Sequence, residues 1–153
     1  MIRIAHRGNY KGRDNLRENT ISYIEEAIAA GYDVEIDVWL LDGKWHLGHD
    51  FPGEVIELSF MERSQVWTHA KDLQGYVSLY SQKHVHVFWH DKDEFAITSK
   101  GIKWARAGVL TNDGIMVMPE YVPYALTSIT SREVTPLGIC SDDFRMFPNE
   151  NGI

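Results

Sequence analysis

The stretch DVEIDVWLLDGKWHLGHD, residues 33–50, places five acidic residues and two histidines in one short hydrophobic segment. Glu35 and Asp37 are two residues apart, and because side chains alternate along a strand, both point to the same face. On an outer strand this face would be solvated, and the two charges would have no function. On the inner face of a closed parallel barrel, two carboxylates are costly unless a cation lies between them. The spacing therefore makes this pair a possible ligand set for a divalent metal, with the solvated strand as the alternative.

A second group of reactive side chains follows the first predicted strand. The sequence AHRGN places His6 and Arg7 at the end of that strand, where ligands bind in open α/β sheets and in barrels. A histidine transfers protons near neutral pH, and an arginine offers a bidentate fork to a phosphate. A single histidine such as His6 is more often structural than catalytic. Its combination with the Glu-x-Asp of the second strand and with His49-Asp50 after the next turn is rarer and indicates a site.

Hydrophobic periodicity predicts an alternation of strands and helices that would bring these residues together. The segment 19–31, NTISYIEEAIAAG, has the apolar spacing of a helix, with Asn19 or Thr20 as its N-cap and Gly31 as its stop. Strand, helix and strand in succession imply βαβ units and a largely parallel sheet. We expect strands over 2–6, 32–41, 45–49, 66–71, 85–90, 114–120 and 137–142, a hairpin around Gly101, and further helices over 73–82 and 121–129.

Composition restricts the class of protein. The 153 residues are enough for one domain with its own core, and no linker or repeat divides residues 1–153. A formal net charge of −7 argues against nucleic acid and anionic membranes as partners, and a phosphate substrate would need a local cation. No segment approaches the roughly 20 apolar residues that span a bilayer, and no signal-peptide pattern is visible. Because the lone Cys140 also excludes an internal disulfide framework, we expect a cytoplasmic protein without stable membrane insertion.

The order and spacing of these motifs resemble those of the glycerophosphodiester phosphodiesterase family. The string AHRG…ENT…GYDVEIDV…DG…HD carries the resemblance and covers about the first third of the chain. The resemblance implies a (β/α)-barrel with a divalent metal, Mg²⁺ or Ca²⁺, at the carboxyl ends of its strands, an architecture that spider-venom phospholipase D enzymes share. It also implies roles for individual residues: His6 and His49 as the acid/base pair, Glu35 and Asp37 as metal ligands, and Arg7, Lys71 and Glu18 as residues that bind the phosphate or orient the groups that do.

Cleavage of a phosphodiester is chemistry that such a set of residues can perform. A nucleophile must be activated, the leaving alkoxide must be protonated, and the charge on the non-bridging oxygens must be neutralised. Two histidines on opposite sides of phosphorus can perform the first two tasks. A hard cation held by Glu35 and Asp37, aided by Arg7 and a lysine, can perform the third.

The third predicted strand departs from the family pattern. The family usually has Glu-x-Lys there, whereas WTHAKD offers His69-Ala70-Lys71, so that Lys71 matches and His69 stands where a carboxylate is expected. If His69 is a ligand, the preferred metal shifts from Mg²⁺ or Ca²⁺ towards Mn²⁺, Zn²⁺ or Fe²⁺. Alternatively, His69 binds the phosphate, and two carboxylates and water hold the metal. Asp91, in FWHDKDEF, is our choice for a residue that supplies the missing negative charge.

The chain is also short for a barrel. A (β/α)₈ barrel typically takes about 250 residues, so we expect an α/β fold of a compact, reduced TIM-like kind, with short or missing later helices. The segment GICSDD, residues 138–143, resembles the family's closing strand G-I-x-[ST]-D, which favours a compacted barrel.

The leading functional hypothesis is a metal-dependent phosphodiesterase that hydrolyses a glycerophosphodiester or a similar small phosphodiester. One alternative is a lyase-type reaction, in which a hydroxyl of the substrate attacks and a cyclic phosphate is released. Another is a phosphate or head-group binding module without activity. Retention of both His6 and His49 favours catalysis, because binding alone needs no pair of proton-transfer groups.

Overall fold

The computed structural model describes residues 1–147 of the chain. In this part of the chain ten strands alternate with four α-helices and two short 3-10 helices. The strands are β1 (Ile2–His6), β2 (Asp33–Leu41), β3 (Lys44–Leu47), β4 (Val55–Ile56), β5 (Val66–Ala70), β6 (Val87–Phe88), β7 (Phe95–Ile97), β8 (Lys103–Ala105), β9 (Gly114–Val117) and β10 (Gly138–Ser141). The α-helices are α1 (Ile21–Ala29), α2 (Leu58–Met61), α3 (Leu73–Tyr80) and α4 (Pro123–Thr130), and the 3-10 helices are Pro119–Tyr121 and Phe144–Met146.

Most of these elements lie where hydrophobic periodicity predicts them. The Thr20 side chain accepts a hydrogen bond from the Tyr23 N–H and caps α1, which confirms Thr20 as one of the two expected N-caps. Gly31 follows the helix with φ +92°, a conformation that other residues rarely adopt. The hairpin around Gly101 is formed by β7 and β8. The predicted strands over 85–90 and 114–120 are shorter in the structure, and β4 and α2 were not predicted.

The sheet is mostly parallel and is centred on β2. Hydrogen-bonded ladders join β6, β5, β2, β1, β10, β9 and β8 in that order, all parallel. Strand β7 adds antiparallel to β8, and the β3–β4 hairpin adds antiparallel to the end of β2. Because the main strands are parallel, their carboxyl ends lie at one edge of the sheet.

The predicted α/β fold is confirmed, but strand pairing within residues 1–147 does not close the sheet into a barrel. The two ends are linked instead by a group of contacts without a strand ladder. Among these contacts, the Ser99 N–H donates to the Val87 carbonyl at 2.8 Å, and the rings of Phe88 and Trp104 stack with centroids 4.3 Å apart. The later helices are short or missing, as expected. Segment 106–113, between β8 and β9, contains no helix, and α4, between β9 and β10, has eight residues.

Two clusters of buried side chains cover the two faces of the sheet. On β2, Val34, Ile36 and Val38 belong to a helix-side cluster that packs against the α-helices. The opposite face carries a pocket-side cluster whose buried members are Ile4, Trp67, Phe88, Trp104, Ile115, Val117 and Cys140. Strand alternation puts Glu35 and Asp37 on this second face, and both are buried. The solvated-strand alternative for this carboxylate pair is therefore excluded.

Within the described part of the chain, no helix combines the length and apolar composition needed to cross a bilayer.

We expect Ile36→Ala to destabilise the protein by about 2–5 kcal/mol, because the side chain is fully buried at the centre of β2 and its truncation leaves a cavity. Urea unfolding followed by tryptophan fluorescence measures the change. Leu16→Ala is the control, since Leu16 is 93% exposed and its truncation should change stability by less than about 0.5 kcal/mol. Equal stability of Ile36→Ala and wild type would contradict this account of the core.

Candidate active site

A pocket of about 180 Å³ opens at the carboxyl edge of the sheet. Side chains reach it from the ends of several strands, because these strands are parallel and end at the same level. It is lined by His6, Arg7, Glu35, Asp37, His49, His69, Phe88, His90, Trp104, Ala105, Arg106, Ala107, Val117 and Met118. The structure thus brings most of the residues expected from the sequence into one cavity.

Glu35, Asp37 and His69 form a compact group on this pocket. One ligand atom of each lies within 4.8 Å of those of the other two. Asp37 and His69 are direct partners in the β2–β5 ladder, which places the His69 Nδ1 3.0 Å from Asp37 Oδ1 and 3.8 Å from Glu35 Oε1. The sequence-predicted ligand set is therefore assembled by strand register.

Glu35 is a carboxyl group whose charge the protein compensates poorly. Burial and the neighbouring Asp37 raise the pKa of Glu35 to about 7. Its Oε2 atom is buried and has no hydrogen-bond partner among residues 1–147. A buried carboxylate oxygen without a partner is costly, so either a proton or a bound cation is required there.

Asp37 has the opposite environment, although it lies two residues away. Burial acts to raise the pKa of Asp37, but the hydrogen bond with His69 and the charges of Arg7 and Lys71 outweigh it and hold the pKa well below its usual range. Arg7 Nε lies 2.9 Å from Asp37 Oδ2, and Lys71 Nζ lies 3.4 Å from Oδ1. The Asn19 side chain also donates to Oδ2 at 2.9 Å. Asp37 is therefore ionised throughout the physiological pH range.

These donors fit a divalent cation. Two carboxylates and one imidazole make a mixed oxygen and nitrogen set, which suits Mn²⁺, Zn²⁺ or Fe²⁺ better than Mg²⁺ or Ca²⁺. The unpartnered Glu35 oxygen is the observation that favours a cation here. Asp91, our choice for an additional carboxylate, is neither in the ligand group nor among the pocket-lining residues of the described chain.

His6 is held by a carboxylate that sequence reasoning did not assign to it. Its Nδ1 lies 2.8 Å from Asp142 Oδ1, and its Nε2 lies 3.9 Å from Glu35 Oε2. Burial lowers the pKa of His6, but the Asp142 hydrogen bond and the Glu35 charge more than offset this and raise it. Asp142 is itself held by the side chains of Asn9, at 2.9 Å, and Tyr121, at 3.1 Å. The imidazole is thus oriented with Nε2 on the Glu35 side.

The sequence contains a signal for Asp142, because it is the first aspartate of GICSDD and follows the predicted strand directly. Its pairing with His6 depends on β10 lying next to β1, which local periodicity does not predict.

Glu18 lies behind Arg7, as the resemblance implies. Arg7 Nη1 donates to Glu18 Oε2 at 3.2 Å, and Glu18 Oε1 accepts from the Asn9 side chain at 2.9 Å and from Arg13 Nε at 3.1 Å. Arg7 therefore bridges Glu18 and Asp37. These contacts hold the guanidinium at the pocket wall.

His49 lies at the rim of the pocket and not in the buried cluster. Its side chain is 39% exposed, and its Nδ1 is 2.7 Å from Asp50 Oδ1. The preceding Gly48 has φ +142°, and a Cβ there would lie 2.1 Å from the Phe51 carbonyl oxygen. The Gly48 N–H donates to the Asp37 carbonyl at 3.0 Å, so the backbone before His49 is bonded directly to β2.

Aromatic rings hold His69 in place. The rings of Phe88 and His90 both lie within 2° of parallel to the His69 ring, with centroids 5.0 and 4.9 Å from it. His90 precedes Asp91 in FWHDKDEF and was given no role from the sequence. The structure places it in the pocket lining. Stacking of this kind restricts the rotation of the His69 imidazole and orients its nitrogens.

Comparisons with known proteins give no identification: no family model, no curated protein and no solved structure matches this chain.

We expect divalent metal to bind about tenfold more weakly at pH 6 than at pH 8. Glu35, with a pKa of about 7, is mostly protonated at the lower pH, and a cation must displace that proton. Calorimetric titration of chelator-treated protein with Mn²⁺ or Zn²⁺ measures the affinities. Glu35→Gln should bind metal weakly at both pH values. Equal wild-type affinities at pH 6 and pH 8 would exclude Glu35 as a ligand that titrates in this range.

We expect Asp142→Asn to lower the pKa of His6, because the substitution removes the negative charge that bonds its Nδ1. NMR titration of the histidine ring protons measures the shift. Asp143→Asn is a matched control, since Asp143 pairs with Arg145 and not with His6. A His6 pKa that is unchanged in Asp142→Asn would show that this carboxylate does not determine the protonation of the imidazole.

Proposed function

We propose that this protein is a metal-dependent phosphodiesterase that hydrolyses a glycerophosphodiester or a similarly small phosphodiester. The observation that carries the proposal is that one small pocket contains three kinds of group. These are His6 with its bond to Asp142, the buried group Glu35, Asp37 and His69, and Arg7. Phosphodiester cleavage requires proton transfer to and from the reacting oxygens and neutralisation of the phosphoryl charge, and these groups can supply both. The motif resemblance of the first third of the chain supports the same reaction.

His6 is suited to the role of general acid. With Nδ1 bonded to Asp142, its Nε2 is the nitrogen available on the pocket side. A raised pKa keeps the imidazole protonated nearer to neutral pH, so Nε2 carries the proton that a leaving alkoxide needs. Asp142 stabilises the charged ring and its orientation, as a carboxylate does for the histidine of a catalytic triad.

His49 is suited to the role of general base. It stands at the exposed rim of the same pocket, where water has access, and its Nδ1 is bonded to Asp50. This bond leaves Nε2 to accept a proton from a water molecule. Once the alcohol has left, His6 has lost its proton and His49 has gained one, so each histidine must exchange a proton with solvent before the next turnover.

The remaining residues neutralise charge. Arg7, at the pocket wall, and Lys71 place two positive charges near Asp37, where a phosphoryl group would lie beside the ligand group. A divalent cation held by Glu35, Asp37 and His69 would supply further positive charge for the phosphoryl oxygens.

The fold is consistent with a reduced barrel. Six strands, β1, β5, β6, β8, β9 and β10, contribute to the pocket-side cluster, and the Phe88–Trp104 stack brings β6 against β8. A sheet that curves around this cluster would place the ends of all its main strands around one mouth, which is the arrangement of barrel active sites. We propose on this basis that the fold is a compact relative of the (β/α)-barrel.

The test is hydrolysis of a panel of glycerophosphodiesters by metal-loaded protein. We expect His6→Ala and His49→Ala each to lower kcat by roughly a hundredfold or more, the usual effect of losing a general acid or base, with metal binding retained. His84→Ala is the control, because His84 is exposed and lies outside the pocket lining. Wild-type turnover by either folded pocket variant would rule out the two-histidine mechanism.

Product analysis by ³¹P NMR distinguishes the reaction types. A phosphomonoester as first product supports hydrolysis, and a cyclic phosphate would indicate attack by a hydroxyl of the substrate. Tight binding of the phosphodiester without turnover would indicate a binding module.

A further inference from the structure

Arg106 lies on the same pocket but is not part of the charged cluster described above. It follows β8 directly, so it stands at the carboxyl edge of the sheet and lines the pocket with an exposed side chain. In the strand order, β10 and β9 separate β8 from β1, the strand that ends in His6. Arg106 therefore enters the pocket from a different side than the residues of β1, β2 and β5.

The contacts of Arg106 leave most of its guanidinium available. Its Nη1 donates to the Lys92 carbonyl at 3.1 Å, and its backbone N–H donates to the Glu94 carbonyl at 2.7 Å. No carboxylate forms an ion pair with it in the structure of residues 1–147. A guanidinium has five N–H donors, and one is used here. The Lys92 carbonyl holds the side chain without neutralising its charge, and the Glu94 carbonyl holds the Arg106 backbone.

The other cations at this edge are already committed. Arg7 lies against both Asp37 and Glu18, and Lys71 lies against Asp37. Arg13 also lies against Glu18, so Arg7, Arg13 and Lys71 all have carboxylate partners in the protein. Arg106 differs from them, because it has no ion-pair partner among residues 1–147.

The wall near Arg106 is apolar. Trp104 and Ala105 from β8, Val117 from β9 and the following Met118 line the pocket on this side. Such a wall suits a short hydrocarbon chain, and the free guanidinium fork suits a planar or tetrahedral oxyanion.

We propose that Arg106 selects phosphodiesters in which one of the two alcohols carries a second anionic group, a carboxylate or a phosphomonoester. This inference rests on the proposed function, because it names the class of substrate for the same pocket. The diester lies beside the ligand group and Arg7, the linking carbons lie against the apolar wall, and the second anion is bound by Arg106.

The experiment compares three diesters of glycerol phosphate that differ only at the end of the second alcohol: propanol, 3-hydroxypropanoate and 3-phosphopropanol. We expect wild-type kcat/KM to be on the order of tenfold higher for one or both anionic diesters than for the propyl diester, the scale of a charge-assisted hydrogen bond. Which of the two is preferred distinguishes a carboxylate from a phosphomonoester. In Arg106→Gln the ratio of kcat/KM for the anionic diester to kcat/KM for the propyl diester should fall to about one. Arg106→Lys should retain part of the preference for the anionic diester.

Arg132→Gln is the matched control, since Arg132 is exposed, follows α4 and is outside the pocket lining. Its substrate ratio should equal that of wild type. A wild-type ratio near one, or a ratio that Arg106→Gln leaves unchanged, overturns the inference even if hydrolysis is efficient.

Calorimetry with the non-hydrolysable methylenephosphonate analogues of the same three diesters separates this inference from the proposed function. If none of the diesters is hydrolysed, but the anionic analogues bind more tightly than the propyl analogue and lose this advantage in Arg106→Gln, the inference stands and the phosphodiesterase proposal fails. If no diester is hydrolysed and no analogue binds, both are overturned.

Discussion

The burial of two carboxylates on one face of a central strand is the constraint around which this structure is organised. Like charges two residues apart cannot both be ionised in an apolar interior without compensation, and β2 carries Glu35 and Asp37 in that position. The protein compensates the two charges unequally. Asp37 is surrounded by Arg7, Lys71, His69 and Asn19. Glu35 has a pKa of about 7, and its Oε2 atom has no hydrogen-bond partner among residues 1–147. Of the two carboxyl groups, Glu35 is therefore the one that titrates near neutral pH.

Much of the fold follows from local pattern. Alternation on β2 predicts which side chains share a face, and the capping position of Thr20 predicts where α1 begins. The site residues His6, Glu35 and Asp37 could be named from the sequence because each occupies or ends a strand that periodicity reveals. Their gathering at one edge then follows from parallel pairing, which the strand–helix–strand order implies.

What the sequence did not reveal depends on contacts between distant segments. The bond from His6 to Asp142 joins residues 136 positions apart, and only the adjacency of β1 and β10 makes it possible. The stacking of His69 on His90 depends in the same way on β5 and β6. Two-residue strands such as β4 are too short for periodicity to indicate, and whether the sheet closes depends on side-chain contacts between its ends. Asp91 was chosen for its charge, but its loop does not bring it to the ligand group.

The pairing of β1 with β10 has a consequence for the order in which the chain acquires its chemistry. During synthesis, β1, α1, β2 and β5 can associate early, since their contacts are close in sequence, and they already contain Glu35, Asp37 and His69. Asp142 arrives only with β10, 136 residues after His6. A nascent or partly folded chain can thus bring Glu35, Asp37 and His69 together while His6 still lacks the carboxylate that orients it and raises its pKa. The hydrogen bond that sets the orientation and pKa of His6 therefore forms only in the completed fold.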